Sequence, residues 1–197
     1  MKHLSMYAAS ERAALDKYVS ILLKWGQKIN LICTSSSQEI YTRHILDSAQ
    51  IAGLLHKDSL VADIGTGAGL PGIVLSVLGF GDMILCEKSL KKCVFLAEVK
   101  SVIGLNFKIY NGDVWNLDVS RETCNVAMVS RAFGKVRELL MLMTKTGIMT
   151  GVFHKGASYR EELESARKSF SFDCEISDSI TRSGCVILKI TNVRSLL

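Results

Sequence analysis

The sequence predicts an α/β protein: a doubly wound sandwich with an antiparallel edge and an N-terminal helical extension. Three observations predict it. The apolar, strand-type run Leu60–Ile64 ends in a glycine-dense turn, Gly65-Thr66-Gly67-Ala68-Gly69, and a helical pattern starts at Pro71. Beyond that turn, short apolar runs alternate with helical patterns, as the βαβ units of a parallel sheet require. The last two apolar runs have no helix between them, which suits an antiparallel edge.

Taken in order, Ser10 to Trp25 places Ala14, Leu15, Tyr18, Val19, Leu22 and Leu23 at helical spacing. Lys28-Ile29-Asn30-Leu31 follows as an irregular connection. Ser35-Ser36-Ser37 offers caps for a second helix, about Gln38 to Leu55. On it, Arg43 and Asp47 stand four residues apart, so Asp47 is placed to meet Arg43 on one face; spacing alone makes that a surface ion pair. Strand 60–64 then leads through the glycine turn to helix 71–79, strand 82–87 and helix 89–103. Strands 107–110 and 126–129 follow, then helix 135–144, strand 148–153 and helix 158–169. Strands 172–176 and 185–190 close the chain around the turn-rich stretch 177–184. Residues 1–55 are expected to form the extension and 56–197 the core of a single domain.

Composition narrows the class. An apolar fraction of 48% with 22% charged residues is ordinary for a soluble globular protein. No apolar run is long enough to span a bilayer, and the N-terminus lacks the apolar segment of a signal peptide. The six cysteines show no C-x-x-C pair and no interleaved histidine spacing, so no metal site is expected. Cysteines inside apolar runs read as reduced core residues of a cytoplasmic protein. The net charge of +5 permits an acidic partner without requiring one.

The glycine turn is the chemical centre of the sequence. A dinucleotide fingerprint is G-x-G-x-x-G, but here the glycines are 65, 67 and 69, and position 70 is Leu. Asp63, two residues before the first glycine, would repel a pyrophosphate and attract a cationic aminoacyl group. Glu87, closing the next strand, suits a ribose with both hydroxyls free. The pair fits S-adenosylmethionine, which carries a ribose and an ammonium but no phosphate. Ligands of such sheets sit outside the carboxyl ends of the strands. That rule collects Asp63 to Leu70, Glu87, Gly112 to Trp115, Ser130 to Phe133 and His154 to Gly156. The third strand end suits an adenine, with Asp113 or the backbone of Val114 and Trp115 at the base edge. Arg131 stands where cofactor and second substrate must meet, and is the candidate catalytic side chain.

Several segments together resemble the RsmG (GidB) family of small-subunit rRNA methyltransferases. They are Trp25…Lys28-Ile29-Asn30-Leu31, Arg43-His44-Ile45-Leu46-Asp47-Ser48, Asp63 through Gly72, Lys91-Lys92…Phe95-Leu96, Ser130-Arg131-Ala132-Phe133 and Lys155-Gly156. The resemblance runs from about Trp25 to the end of the sheet. It implies a Rossmann-like class I methyltransferase that moves a methyl group from S-adenosylmethionine to N7 of a guanosine in the decoding-region loop of bacterial 16S rRNA. It implies cofactor contacts from Gly65, Leu70, the backbone at Val114-Trp115 and Arg131; with the turn and strand-end residues read above, the candidate cofactor site is Asp63, Gly65, Thr66, Gly67, Gly69, Leu70, Glu87, Asp113, Val114, Trp115 and Arg131. Arg43, His44, Lys91, Lys92 and Lys155 are the RNA-binding candidates. The family usually has Arg, a small residue and Glu where this chain has Asp113-Val114-Trp115. The implied partner is 16S rRNA or the small ribosomal subunit, bound by a monomer.

The motifs that are missing agree with an N7 target. With one proline, Pro71, the chain cannot carry the Asn/Asp-Pro-Pro-aromatic loop that orients an exocyclic amino group. It also lacks a Pro-Cys nucleophile. N7 of guanine has a lone pair and no proton, so positioning suffices. Phe133 and Trp115 are candidates to stack on an unpaired base. Three other readings stay open: a methyltransferase of a small molecule or protein, an NAD-dependent oxidoreductase, and a non-catalytic RNA-binding assembly factor.

Overall fold

The computed structural model describes residues 7–33, 36–120 and 125–196. Ser35, Cys124 and the first six residues of the N-terminal segment lie outside them. Helix α1 (Ala9–Gly26) opens the described chain. A second helical run follows in three pieces: α2 (Ser37–Ile40), a π-helical turn (Tyr41–Ile45) and α3 (Leu46–Ala49). Ser36 is its cap, accepting the Glu39 N–H through its hydroxyl at 3.4 Å. The helix expected over 38–55 is thus broken. The wide turn hydrogen-bonds Leu46 N–H to Tyr41 O, five residues back, and a short 3-10 turn (Ala52–Leu54) ends the run.

The sheet region alternates as β1 (Leu60–Ile64), α4 (Gly72–Val77), β2 (Met83–Glu87), α5 (Leu90–Ile103) and β3 (Lys108–Asn111). Then come β4 (Val126–Arg131), α6 (Val136–Thr146), β5 (Thr150–Lys155), α7 (Tyr159–Arg167), β6 (Phe170–Asp178) and β7 (Val186–Ser195). The seven strands lie in the order β3-β2-β1-β4-β5-β7-β6. β1 to β5 pair in parallel; β7 runs antiparallel to both β5 and β6. The strand order reverses between β1 and β4, which makes that point the crevice for a ligand.

Strand alternation sorts the core. Leu60, Ala62 and Ile64 face α6 and α7, with Met128, Leu139, Leu140 and Phe153. Val61 faces the other way, toward α1, α4 and α5, where Tyr18, Leu22, Ile73, Phe95 and Leu96 are buried. The N-terminal helix is part of this second core. Trp25 meets Phe95 edge-on at 5.9 Å between ring centroids and donates through Nε1 to Glu98 at 2.9 Å. Tyr18 is fully buried and donates its hydroxyl to the carbonyl of Ala68 at 2.6 Å. A helix 50 residues upstream therefore holds the glycine turn. No described helix is long and apolar enough to cross a membrane. The five described cysteines are free thiols, two of them buried on or beside β2.

Candidate active site

The glycine turn is built around Asp63. β1 carries this carboxylate on the apolar α1-facing side of the sheet, where it is fully buried. One oxygen, Oδ2, accepts from the Thr66 hydroxyl at 2.6 Å and from the Gly72 N–H at 2.8 Å. The other, Oδ1, is buried with no partner. Burial pushes its pKa up to about 6, against the hydrogen bonds of Thr66 and Gly72 and the charge of Arg131, which lower it.

The glycines are required for different reasons. A Cβ on Gly69 would lie 2.1 Å from Ile73 Cδ1, and one on Gly65 would lie 2.6 Å from the Phe133 ring. Those two turn sharply where side chains already fill the space. Gly67, also left-handed at φ 59°, would meet nothing nearer than the Gly65 carbonyl at 3.8 Å. Its missing side chain leaves open space, which is where a ligand can approach the backbone. Glu87, 7% exposed at the end of β2, accepts the Gly67 N–H at 3.1 Å and the Ser89 N–H at 2.8 Å. Each of its oxygens keeps acceptor capacity. At the third strand end, Asp113 caps a 3-10 turn (Val114–Asn116) by accepting the Trp115 N–H at 3.0 Å.

A second cluster lies beyond Arg131, around Asp47. Arg43 does not meet Asp47, as four-residue spacing predicts; it pairs with Glu39 instead. The π turn between them widens the helix, so positions 43 and 47 no longer share a face. Asp47 turns inward and gathers donors from four segments. Oδ2 faces Arg131 Nη1 at 3.4 Å. Oδ1 accepts from Gln50 Nε2 at 2.7 Å, from the Thr181 hydroxyl at 2.7 Å and from the Ser179 hydroxyl at 3.4 Å. Its carbonyl accepts from His154 Nε2 at 2.7 Å, which fixes the proton of a neutral imidazole on Nε2. Burial lowers the pKa of His154.

Asp47, Arg131, His154, Ser179 and Thr181 line a cleft of about 500 Å³ between the N-terminal helices and the β6–β7 turn. Arg43, His44, Arg131, Ala132 and Lys155 reach it, as do Thr181 and Arg182. The backbone at Ala132 is left-handed, φ 58°, which costs a non-glycine residue about 1 kcal/mol. That strain sits directly after Arg131. His44 is half-buried with Nδ1 unpartnered, and burial plus the two neighbouring arginines pull its pKa down to about 4. At neutral pH its imidazole is uncharged.

The structure brings some of the sequence candidates together and separates others. Asp63, Gly65, Thr66, Gly67, Gly69, Leu70 and Glu87 surround one turn. Arg43, His44, Arg131 and Lys155 share the cleft. Lys155 is 8% exposed and holds Glu162 and the Gly134 carbonyl, each at 2.7 Å. Lys91 and Lys92 stand on the first turn of α5, away from the cleft lining. Trp115 and Phe133 are half-buried and pack against the α6–α7 core. Gln50, Ser179, Thr181 and Arg182 carried no motif; only the placement of Asp47 within the R-H-I-L-D-S segment pointed toward their cluster. A larger cleft, about 860 Å³, opens at the opposite end of the strands beside Ser59, Asn125 and Thr150. It lies away from the glycine turn. Among the described residues, no group of His, Cys, Asp and Glu is arranged to hold a metal.

Comparison with known proteins fits this geometry. The family model for rRNA small subunit methyltransferase G (GidB) matches residues 11–190. The chain belongs to this family. Proteins named ribosomal RNA small subunit methyltransferase G from Rickettsia bellii (strain OSU 85-389) and Ruegeria sp. (strain TM1040) are each 34% identical to it over 185 residues. The first alignment covers 93% of this chain and 94% of the relative; the second covers 89% and 88%. Among solved structures, TrmK from M. capricolum in complex with S-adenosyl-homocysteine superposes with a TM-score of 0.55 at 15% identity. That superposition covers 74% of this chain and 66% of TrmK, and establishes a shared fold.

Proposed function

We propose that the protein transfers a methyl group from S-adenosylmethionine to N7 of a guanosine in the decoding-region loop of 16S rRNA, acting as a cytoplasmic monomer. The observation that carries this reading is the orphaned, buried Oδ1 of Asp63 at the glycine turn, one step from Arg131 and the cleft. A buried carboxylate oxygen without a partner calls for a donor from a ligand. An aminoacyl ammonium supplies one. Glu87 has acceptor capacity for two ribose hydroxyls, and the space beside Gly67 admits a ligand against the backbone. The residues therefore fit this cofactor.

The bound cofactor supplies an electrophilic methyl group. The chain's own residues bind and orient. Asp63 and Glu87 hold the two polar ends, Gly65 to Leu70 shape the floor, and the Val114 amide is left to meet a base edge. Asp113 keeps the Trp115 N–H occupied and has a second oxygen for an adenine amino group. Arg131, fixed by Asp47, stands between cofactor and cleft to hold an anionic group of either substrate. No general base is required, because guanine N7 presents a lone pair without a proton. Catalysis then rests on alignment and on keeping water out.

The test is methyl transfer from labelled S-adenosylmethionine to small ribosomal subunits lacking the modification, with the labelled nucleotide mapped. One 7-methylguanosine in the decoding-region loop is the expected product. Cofactor binding without labelled rRNA would reassign the substrate to a small molecule or a protein.

A further inference from the structure

We propose that the β6–β7 turn is the second wall of the RNA cleft, and that Arg182 on it grips a backbone phosphate of the strand carrying the target guanosine. This rests on the RNA reading above. Four cations line the cleft, and three are already committed. Arg43 holds Glu39, Arg131 holds Asp47, and Lys155 holds Glu162. Arg182 is exposed, and among the described residues its guanidinium has no ion pair or hydrogen bond. A planar, five-donor cation that faces a cleft without a partner suits a phosphate, which it can meet bidentately.

The turn that carries it is fastened, although exposed. The Ile180 N–H donates to Gln50 Oε1 at 3.0 Å. The Thr181 hydroxyl donates to Asp47 at 2.7 Å, and the Ser179 hydroxyl reaches the same oxygen at 3.4 Å. The Arg182 carbonyl accepts the Cys185 N–H at 3.2 Å, closing the turn behind it. Gln50 Nε2 also donates to the Ser179 hydroxyl at 3.4 Å, and a solvated hairpin tip has no need of four ties to a helix about 130 residues upstream. The ties set the position of Arg182 against the α3 wall of the cleft. Gln50 is then a positioning residue, acting through Arg182.

The experiment measures binding of the full protein to small ribosomal subunits lacking the modification, from 50 to 200 mM salt, alongside S-adenosylmethionine affinity. Arg182→Ala should weaken subunit binding about fivefold to tenfold and flatten the log–log salt dependence by about 1, the signature of one lost phosphate contact. Arg182→Lys should keep the salt slope. Cofactor affinity should not change. Gln50→Ala should give a smaller loss in the same direction, and Gln50→Ala with Arg182→Ala should bind no worse than Arg182→Ala alone. An unchanged salt slope in Arg182→Ala, or additive losses in the double variant, would overturn the proposal. Wild-type protein that binds no subunits at all would instead defeat the RNA reading beneath it.

Discussion

The two ends of the proposed site are built in opposite ways. The cofactor end is built mostly within one short stretch: Thr66 and Gly72 both donate to Asp63 Oδ2 within ten residues, and Glu87 joins from the next strand. Its chemistry is carried by two carboxylates, Asp63 and Glu87, set around left-handed glycines. The target end is assembled from afar. Asp47 meets Arg131, His154, Ser179 and Thr181, which lie 84 to 134 residues along the chain. Its chemistry is side chain, gathered on one carboxylate. The first can be damaged by a single Cβ; the second must be damaged by removing a hub.

The largest effect expected is at the cofactor end. Gly67→Arg places a side chain in the open space of the turn, so calorimetric titration should find no binding of S-adenosylmethionine to a protein with wild-type circular dichroism. Full affinity in that variant would show that the turn does not hold the cofactor.

Asp47→Ala should come next. It leaves Arg131 half-buried without its anion and strips acceptors from Gln50 and Thr181. The cost is about 2–3 kcal/mol of stability, a fall in Tm of roughly 5–10 °C by scanning calorimetry. Methyl transfer should fall with it, while cofactor affinity stays close to wild type. Loss of both in proportion would mean that the two ends are one unit.

Asp63 sharpens the contrast through pH. Its folded pKa lies above the ordinary carboxylate value, so its contribution to stability is present below about pH 4 and lost as pH rises to about 6. A cofactor ammonium needs the ionised form. Affinity should therefore be constant above about pH 6 and fall up to tenfold per unit below it; Asp63→Asn should bind weakly at every pH.

The smallest effect separates the N-terminal helices. Tyr18→Phe removes the hydroxyl that holds Ala68 and should cost about 1 kcal/mol. It should loosen cofactor binding and leave subunit binding unchanged, because α1 supports the glycine turn while α3 supports the cleft.

The same contrast explains what could be read in advance. All seven strands start within two residues of their predicted positions, because apolar periodicity is local, but β7 runs to Ser195 where the apolar run predicts an end at 190. Asp63, the glycines and Glu87 were legible because each sits at a fixed place in one βαβ unit. Arg43 with Asp47 was misread: the π turn that separates them carries no proline or glycine to announce it. Thr181 and Gln50 stayed hidden because their ties cross the chain: Thr181 meets Asp47 134 residues away, and Gln50 accepts the Ile180 N–H 130 residues away. A residue whose role depends on a carboxylate more than 100 positions away leaves no local pattern, as with Thr181. Lys155 shows the converse, since a lysine at a strand end reads as a phosphate contact until its burial against Glu162 is seen.

One crossed measurement bears most directly on the division between the two ends. It titrates S-adenosylmethionine and unmodified small subunits separately against Gly67→Arg and Asp47→Asn. Gly67→Arg should lose the cofactor and keep subunits; Asp47→Asn should keep the cofactor and lose subunit affinity. If each variant loses both ligands equally, the glycine turn and the Asp47 cleft are not separate binding sites, and the account fails.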